Sequence, residues 1–345
     1  MRDYVDDKKL ISYKDNAMVA GSYRPFCKEF LYYDKVMNER TLLQPRLFPL
    51  PSDKGTKESF ETCSVRIMQH ALSFENIAIC ISRGTVLLTS VIPDLHFVGD
   101  SQCFPLYWYE EAEVDGLLGN SAPVRHDAIT DEALAVFQQA YDDTSITKED
   151  IFFYVYGLLH SPEYRRRFAN NLKKELPRIP LAKDFRAFEE AGRKLGELHV
   201  NYESVEPWPV EEVGCSENPG RTEKMAWGKV RDKETGKLVK DFTVLKVSDN
   251  LTLRGIPERA QDYVVNGKSA LAWLVDRYKV TTDKKSGIVN DPNLYAPDNP
   301  RYIVDLLESV IRVSMETLDV MDSLPPLEEL PHPDNWPAAW SMDIE

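Results

Sequence analysis

The chain has 345 residues, 43% of them hydrophobic and 28% charged, with a formal net charge of −14 at neutral pH. That is material for about two domains of ordinary size with a real core. It contains no run of about 18 apolar residues, and its start, MRDYVDDKKL, is charged and lacks the apolar stretch of a signal peptide. These features predict neither a membrane span nor secretion, and so a cytoplasmic location. The abrupt start is also compatible with a piece of a longer protein.

An acidic balance argues against a nucleic-acid partner only if the charge is evenly spread. Residues 109–150 hold eleven acids and two bases, and residues 316–345 hold eight acids and no Lys or Arg. The remainder is net positive. Residues 161–199 carry ten bases against six acids, and residues 221–246 carry eight against four. Two segments could therefore form a basic face on an acidic protein.

Taken in chain order, residues 10–108 read as β-rich. The runs 64–74, 76–82 and 85–92 are dense in Ile, Val, Leu and Thr, Arg83-Gly84 marks a tight turn, and Phe104–Tyr109 closes the region as an aromatic strand. An acidic linker with Gly116, Gly119 and Pro123 follows. Helices then take over. Thr130 caps one over 131–140, Thr147 to Asp150 start a second, and Ser161-Pro162 is a helix start with proline at the first position. In that third helix Tyr164, Phe168, Leu172 and Leu176 recur every four residues as a core stripe. The helix over 182–200 buries Phe185, Phe188, Leu195 and Leu198, and Arg186, Glu190, Arg193 and Glu197 form a ladder of alternating sign. Residues 225–254 return to β structure around a turn at Glu234–Gly236, with Trp227, Lys229 and Arg231 at alternate positions on one strand face. Helices over 267–278 and 301–323 and a Pro-rich acidic tail complete the chain. The fold class is α+β: a β-rich N-terminal part followed by a mostly helical part with a second small β segment. The expected division is 1–125 and 126–345.

Chemical motifs are weak. The five cysteines show no CxxC spacing and read as reduced thiols, and the six histidines form neither HxxxH nor HExxH. Gly267-Lys268-Ser269 lacks the upstream glycine of a phosphate loop, because position 262 is Asp262, and reads as a helix cap. Asp291–Tyr295 and Asn218–Arg221 read as turns. Pro93-Asp94 has no partner acid-x-Lys, and His126-Asp127 has no nucleophile beside it. No catalytic residue, metal site or cofactor is assigned to this chain.

Several segments carry a family resemblance. GSYRPFCKEFLYYDKVMNER (21–40), PDLHFVGDSQCFPLYWYE (93–110), residues 154–203 around YVYGLLHSPEYRRRFANNLKKELPRIP, VNGKSALAWLVDRYKVTTDKKSGIVNDPN (265–293) and PRYIVDLLESVIRVSMETL (300–318) resemble, in the same order, the C-terminal target-recognition region of Type ISP restriction–modification enzymes. The resemblance implies a non-catalytic specificity part of a phage-defence enzyme. Its partners would be double-stranded DNA and the methyltransferase and translocase domains of the same polypeptide. Residues 1–125 would follow the methyltransferase core, and S-adenosylmethionine, ATP and Mg would belong to upstream domains. Local physics then nominates the DNA-binding residues: Arg165, Arg166, Arg167, Lys173, Lys174 and Arg178 from the basic helix, Lys224, Trp227, Lys229 and Arg231 from the β segment, and Arg83 from its turn. Two other readings stay open. One is a scaffold whose basic helix docks on another protein domain without reading bases. The other is an autonomous nuclease or methyltransferase, which would need a site the sequence does not display.

Overall fold

The computed structural model of the chain describes residues 17–33, 44–49, 76–94, 96–110 and 123–337. The expected strand at 64–74 and the linker glycines Gly116 and Gly119 lie outside the described residues. Strands dominate up to Asp127, helices follow from Asp131, and a second β segment runs from Glu211 to Arg254, an α+β fold. The chain divides into two units. One comprises Met1–Tyr23, Lys28–Gly196 and Leu324–Glu345, and the other Arg24–Cys27 and Glu197–Ser323.

In the first unit, β1 (Met18–Arg24) lies between β2 (Cys27–Tyr32) and β5 (Ile92–Pro93). A short helix, α1 (Gln44–Leu47), precedes β3 (Ala78–Ser82), which pairs antiparallel with β4 (Thr85–Thr89) and β6 (Gln102–Pro105). The ribbon β7 (Tyr107–Glu110) and β8 (Val124–Asp127) follows. Two strands expected to be continuous are broken, the first by a local side-chain hydrogen bond that competes with the ladder and the second beside contacts to residues 76–77. The Thr89 hydroxyl donates to the Val91 carbonyl (2.9 Å) and accepts from the Val91 amide (3.2 Å), ending β4 before β5 begins. The aromatic strand splits at Leu106, whose amide donates to the Ile77 carbonyl (2.8 Å). Asn76 clasps Tyr107 on the far side of that break, accepting from its amide (3.1 Å) and donating to its carbonyl (2.8 Å).

The helices of this unit begin where side-chain chemistry lets them. Thr130 caps α2 (Asp131–Tyr141), and Thr147 with Asp150 forms a reciprocal capping box for α3 (Lys148–His160). Ser161 caps α4 (Pro162–Arg167). Then α5 (Phe185–Val200) buries Phe185, Phe188, Leu195 and Leu198, as its periodicity predicts. α3 and α5 approach with no side chain between them. A Cβ on Gly157 would fall on the Phe188 carbonyl oxygen, and one on Gly192 on that of Phe153. Beside this contact the Tyr154 ring stacks on Phe185 at 4.8 Å. The ladder on α5 differs from expectation. Arg186 pairs with Asp143 (2.9 Å) and Asp150 (3.2 Å), and Arg193 pairs with Glu149 (2.6 Å), Asp150 (2.5 Å) and Glu189. Glu190 and Glu197 face solvent. The arginines thus neutralise the acids at the start of α3, a better use of charge than partners on their own exposed face. The tail returns to this unit: the Leu330 amide donates to the Leu181 carbonyl (2.8 Å) and the Lys183 amide to that of Glu328 (2.7 Å).

In the second unit a four-stranded antiparallel sheet has the order β10 (Ala226–Arg231), β11 (Leu238–Lys246), β12 (Leu251–Arg254), β9 (Glu211–Gly214). Leu245, Leu251 and Leu253 are its buried residues. Two small hairpins, β13 (Val264–Val265) with β14 (Lys268–Ser269) and β15 (Thr281–Thr282) with β16 (Val289–Asn290), flank α6 (Ala270–Arg277). Ser269 caps α6 as expected, accepting from the Ala272 amide at 3.1 Å. α6 packs on the long helix α7 (Tyr302–Ser323). Arg301 grips both oxygens of Glu212 at 3.0 Å each, tying β9 to the start of α7. Burial beside Glu212 pushes the carboxyl of Glu308, on the first half of α7, up to about 7.

Candidate nucleic-acid interface

The basic stretch after His160 is built differently from the single helix its periodicity predicts. α4 ends at Arg167, and residues 168–174 continue as turns. Tyr164 and Leu172 are buried, whereas Leu176 is exposed and is not part of the core. The reason is tertiary. The hydroxyl of Tyr164 donates to the Arg178 carbonyl (2.6 Å) and that of Tyr154 to the Pro180 carbonyl (2.5 Å). These bonds fix 178–182 as irregular chain against α3 and α4, so the helix stops before it.

The cations of this stretch fall into two groups. Arg165 donates to the Gly84 carbonyl at 3.2 Å. Arg167 binds Glu329 (2.6 Å), Glu163 (3.0 Å) and the Leu327 carbonyl (3.0 Å), fastening the tail to α4. Arg178 lies 3.8 Å from Glu175. By contrast Arg166, Lys173 and Lys174 are exposed, with no hydrogen bond or ion pair from their side chains among the described residues. The same is true of Arg83. It occupies the turn between β3 and β4 at φ 46°, followed by Gly84 at φ 79°. This is the positive-φ pair that a two-residue hairpin requires. That turn is seated on the basic stretch: a Cβ on Gly84 would lie 3.3 Å from Leu172 Cβ. Arg83 and Lys173, each one residue from this contact, therefore share a surface. Two segments far apart in sequence supply one group of uncompensated cations.

A polar cleft elsewhere in this unit, about 540 Å³, is lined by Trp108, Arg125, His126, Asp127, Asp131 and Lys148 among others. Its lysine is compensated by Asp127 (3.0 Å) and Asp131 (2.6 Å), which leaves it poorly suited to an anion.

In the second unit, residues 221–225 lead into β10 and are firmly rooted. Arg221 pairs with Glu223 and Asp291, and the Thr222 amide donates to Asn293 Oδ1 (2.9 Å). The Val280 amide donates to the Glu223 carbonyl (3.0 Å). Lys224 emerges exposed from this root, its side chain without a partner among the described residues. The expected common face of Trp227, Lys229 and Arg231 is interrupted. Trp227 pairs with Leu245, yet Gly228 pairs with Asp241, so the register shifts between them. Asp241 causes the shift by accepting from the amide (3.0 Å) and hydroxyl (2.6 Å) of Thr243, a side-chain turn that lifts this part of β11 out of the ladder. Trp227 consequently belongs to the inner sheet, half-buried against Phe242 at 5.2 Å between ring centres. Lys229 and Arg231 belong to an outer two-stranded ribbon. There Lys229 stands opposite Lys240, and Arg231 opposite Leu238. Lys240 was not among the residues nominated from sequence. Counting outward from the Glu234–Gly236 turn would have found it.

The Type ISP C-terminal specificity domain family matches residues 1–306. No curated protein matches the chain. Among solved structures, 95% of the chain superposes on the ATP-dependent Type ISP restriction-modification enzyme LlaBIII bound to DNA, with TM-score 0.77 and 30% identity. A nuclease-deletion mutant of the Type ISP enzyme LlaGI in complex with a DNA substrate mimic matches 95% of the chain with TM-score 0.71 and 34% identity. The DrdV–DNA complex does so with TM-score 0.74 and 30% identity. The chain spans 20%, 26% and 30% of those three proteins, respectively. The order of its segments, its fold and the family match agree, and the chain belongs to the Type ISP C-terminal specificity domain family.

Proposed function

We propose that this chain is the target-recognition part of a Type ISP restriction–modification enzyme, holding duplex DNA while other parts of the polypeptide perform the chemistry. The observation that carries the reading is the group of exposed, uncompensated cations on an acidic protein. Arg83, Arg166, Lys173 and Lys174 supply it in one unit, and Lys224, Lys229 and Arg231 in the other. Charge left without an internal partner gains most from phosphate, whose counterions are released on binding. Arg165 and Arg167 position this surface rather than form it, Arg178 lies at its edge beside Glu175 (3.8 Å), and Trp227 braces the inner end of the ribbon. Residues 1–125 would follow the methyltransferase core and 126–345 form the specificity part. S-adenosylmethionine, ATP and Mg would serve the upstream domains. The enzyme would act in the cytoplasm against phage DNA, its methyltransferase taking the target adenine out of the stack while this part holds the flanking duplex.

The test is fluorescence anisotropy of the whole chain on a labelled duplex pool at several salt concentrations. Affinity should fall steeply with salt, and replacing Arg83, Arg166, Lys173 and Lys174 together with Gln should weaken binding and flatten that slope. A chain that binds no duplex, or one indifferent to salt and to these substitutions, overturns the reading. The second outcome would favour a protein-docking scaffold, which the internal use of Arg165, Arg167 and Arg178 also suits.

A further inference from the structure

The ribbon beyond the bulge sets like charges against one another with little apolar burial to offset them. Gly228–Arg231 and Leu238–Asp241 form four residue pairs, roughly 14 Å of ladder. Lys229 and Lys240 are directly opposed, and Arg231 is the next residue on the same face. Like charges at opposed positions repel. Among the described residues no acid of the ribbon forms an ion pair with them, Glu234 in the turn included. Asp241 pairs with Gly228 on the other face and is held by Thr243, and Asp232 is held in the turn by Thr235 (2.7 and 2.6 Å). Arg231 reaches only the Gly236 carbonyl, at 3.2 Å. Apolar burial does not compensate either, because Val230, Leu238 and Val239 are 48%, 63% and 42% exposed. Three clustered cations on a slender ribbon, offering donors and no acceptor, call for a partner dense in acceptors.

Resting on the DNA-binding reading, we infer that the outer ribbon Gly228–Asp241 enters the major groove of the duplex and that Arg231, flanked by Lys229 and Lys240, reads guanine through its O6 and N7 acceptors. The groove follows from size and edge chemistry: a major groove about 12 Å wide admits a two-stranded ribbon without distortion, whereas a ribbon entering the minor groove, about 6 Å wide, must widen or bend the duplex. The base follows from chemistry. Guanidinium and ammonium groups only donate, and guanine alone presents two adjacent acceptors on its major-groove edge. The apolar side chains of the other face lie against the groove wall and need no polar partner.

The duplex bound by the whole chain is first selected from a randomised pool, and its affinity is then measured with each guanine replaced in turn by 7-deazaguanine, which lacks N7. At one or two positions the replacement should weaken binding by roughly 5- to 150-fold. The Arg231→Gln chain, checked by circular dichroism for unchanged fold, should bind the two duplexes alike. Lys173→Gln should weaken both equally and preserve the discrimination. Indifference of the native chain to every 7-deazaguanine, or full discrimination by Arg231→Gln, overturns the inference while leaving DNA binding intact. Either result would mean that the ribbon meets another surface, such as an acidic protein domain. Failure to bind any duplex overturns the parent reading and this one with it.

Discussion

Arg167 of α4 and Glu329 of the tail form an ion pair at 2.6 Å across 162 positions of sequence. The pair is partly exposed, so its own contribution is modest, but Arg167 also holds the Leu327 carbonyl. Arg167→Ala should therefore lower the stability to urea by about 1 kcal/mol. Duplex affinity should stay within about twofold, since this arginine is occupied internally and little phosphate contact is lost. Arg166→Ala, its exposed neighbour, should do the reverse. Equilibrium unfolding and anisotropy on the two variants separate the roles.

The contact between α3 and α5 predicts a larger effect. Gly157→Ala or Gly192→Ala sets a methyl group against backbone that has no side chain to move aside. Each should cost at least about 2 kcal/mol, since a helix must shift. Gly255→Ala, where the added atom meets nothing within 4 Å but φ is +74°, should cost about 1 kcal/mol through conformation alone. Thermal unfolding of the three proteins should rank them in that order.

Two buried groups give opposite pH dependences. Glu308 titrates near 7 in the folded chain against 4.5 ordinarily, so the stability it contributes is fully present below 4.5 and is lost as pH rises to about 7. His160 is buried with Nδ1 2.8 Å from the Tyr156 carbonyl, and burial depresses it to about 4, so stability is lost as pH falls from 6.5 to 4. The two slopes overlap and oppose each other in the native protein. Glu308→Gln should remove the first, raise stability at pH 8 by on the order of 1 kcal/mol, and expose the second as a clear decline below pH 6. Urea midpoints across this range would reveal it.

The opposed lysines predict a trade between stability and binding. Lys240→Glu converts a like-charge pair into an opposite one and should stabilise the chain by a few tenths of a kcal/mol up to about 1. The same change should weaken duplex binding, because it places an anion on the face assigned to DNA. Stability and affinity rising together would contradict the role given to the ribbon.

Helix starts were legible in the sequence because a cap is made by residues within four positions of each other. Thr130, Thr147, Ser161 and Ser269 all cap as expected. The end of α4 was not, because the bonds from Tyr154 and Tyr164 that fix 178–182 join residues 26 and 14 positions apart. The sorting of cations into occupied and available was equally hidden, since the partners of Arg165 and Arg167 lie 81 and 162 positions away. The bulge at Trp227 depended on one aspartate–threonine turn inside a strand of ordinary composition. Polarised charge therefore pointed to segments that do carry exposed cations, and only three-dimensional pairing could say which arginines in them have internal partners.

The first unit is finished by the last stretch of the polypeptide, so the second, apart from Arg24–Cys27, is an insert within it. Cutting the chain after Ser323 would remove Glu329 and the Leu327 carbonyl that Arg167 binds, and the Leu327 amide that donates to Glu163 (2.8 Å), rather than trim a loose end. Residues 197–323 are therefore best exchanged between relatives as an internal cassette, with the recipient's own ending kept in place.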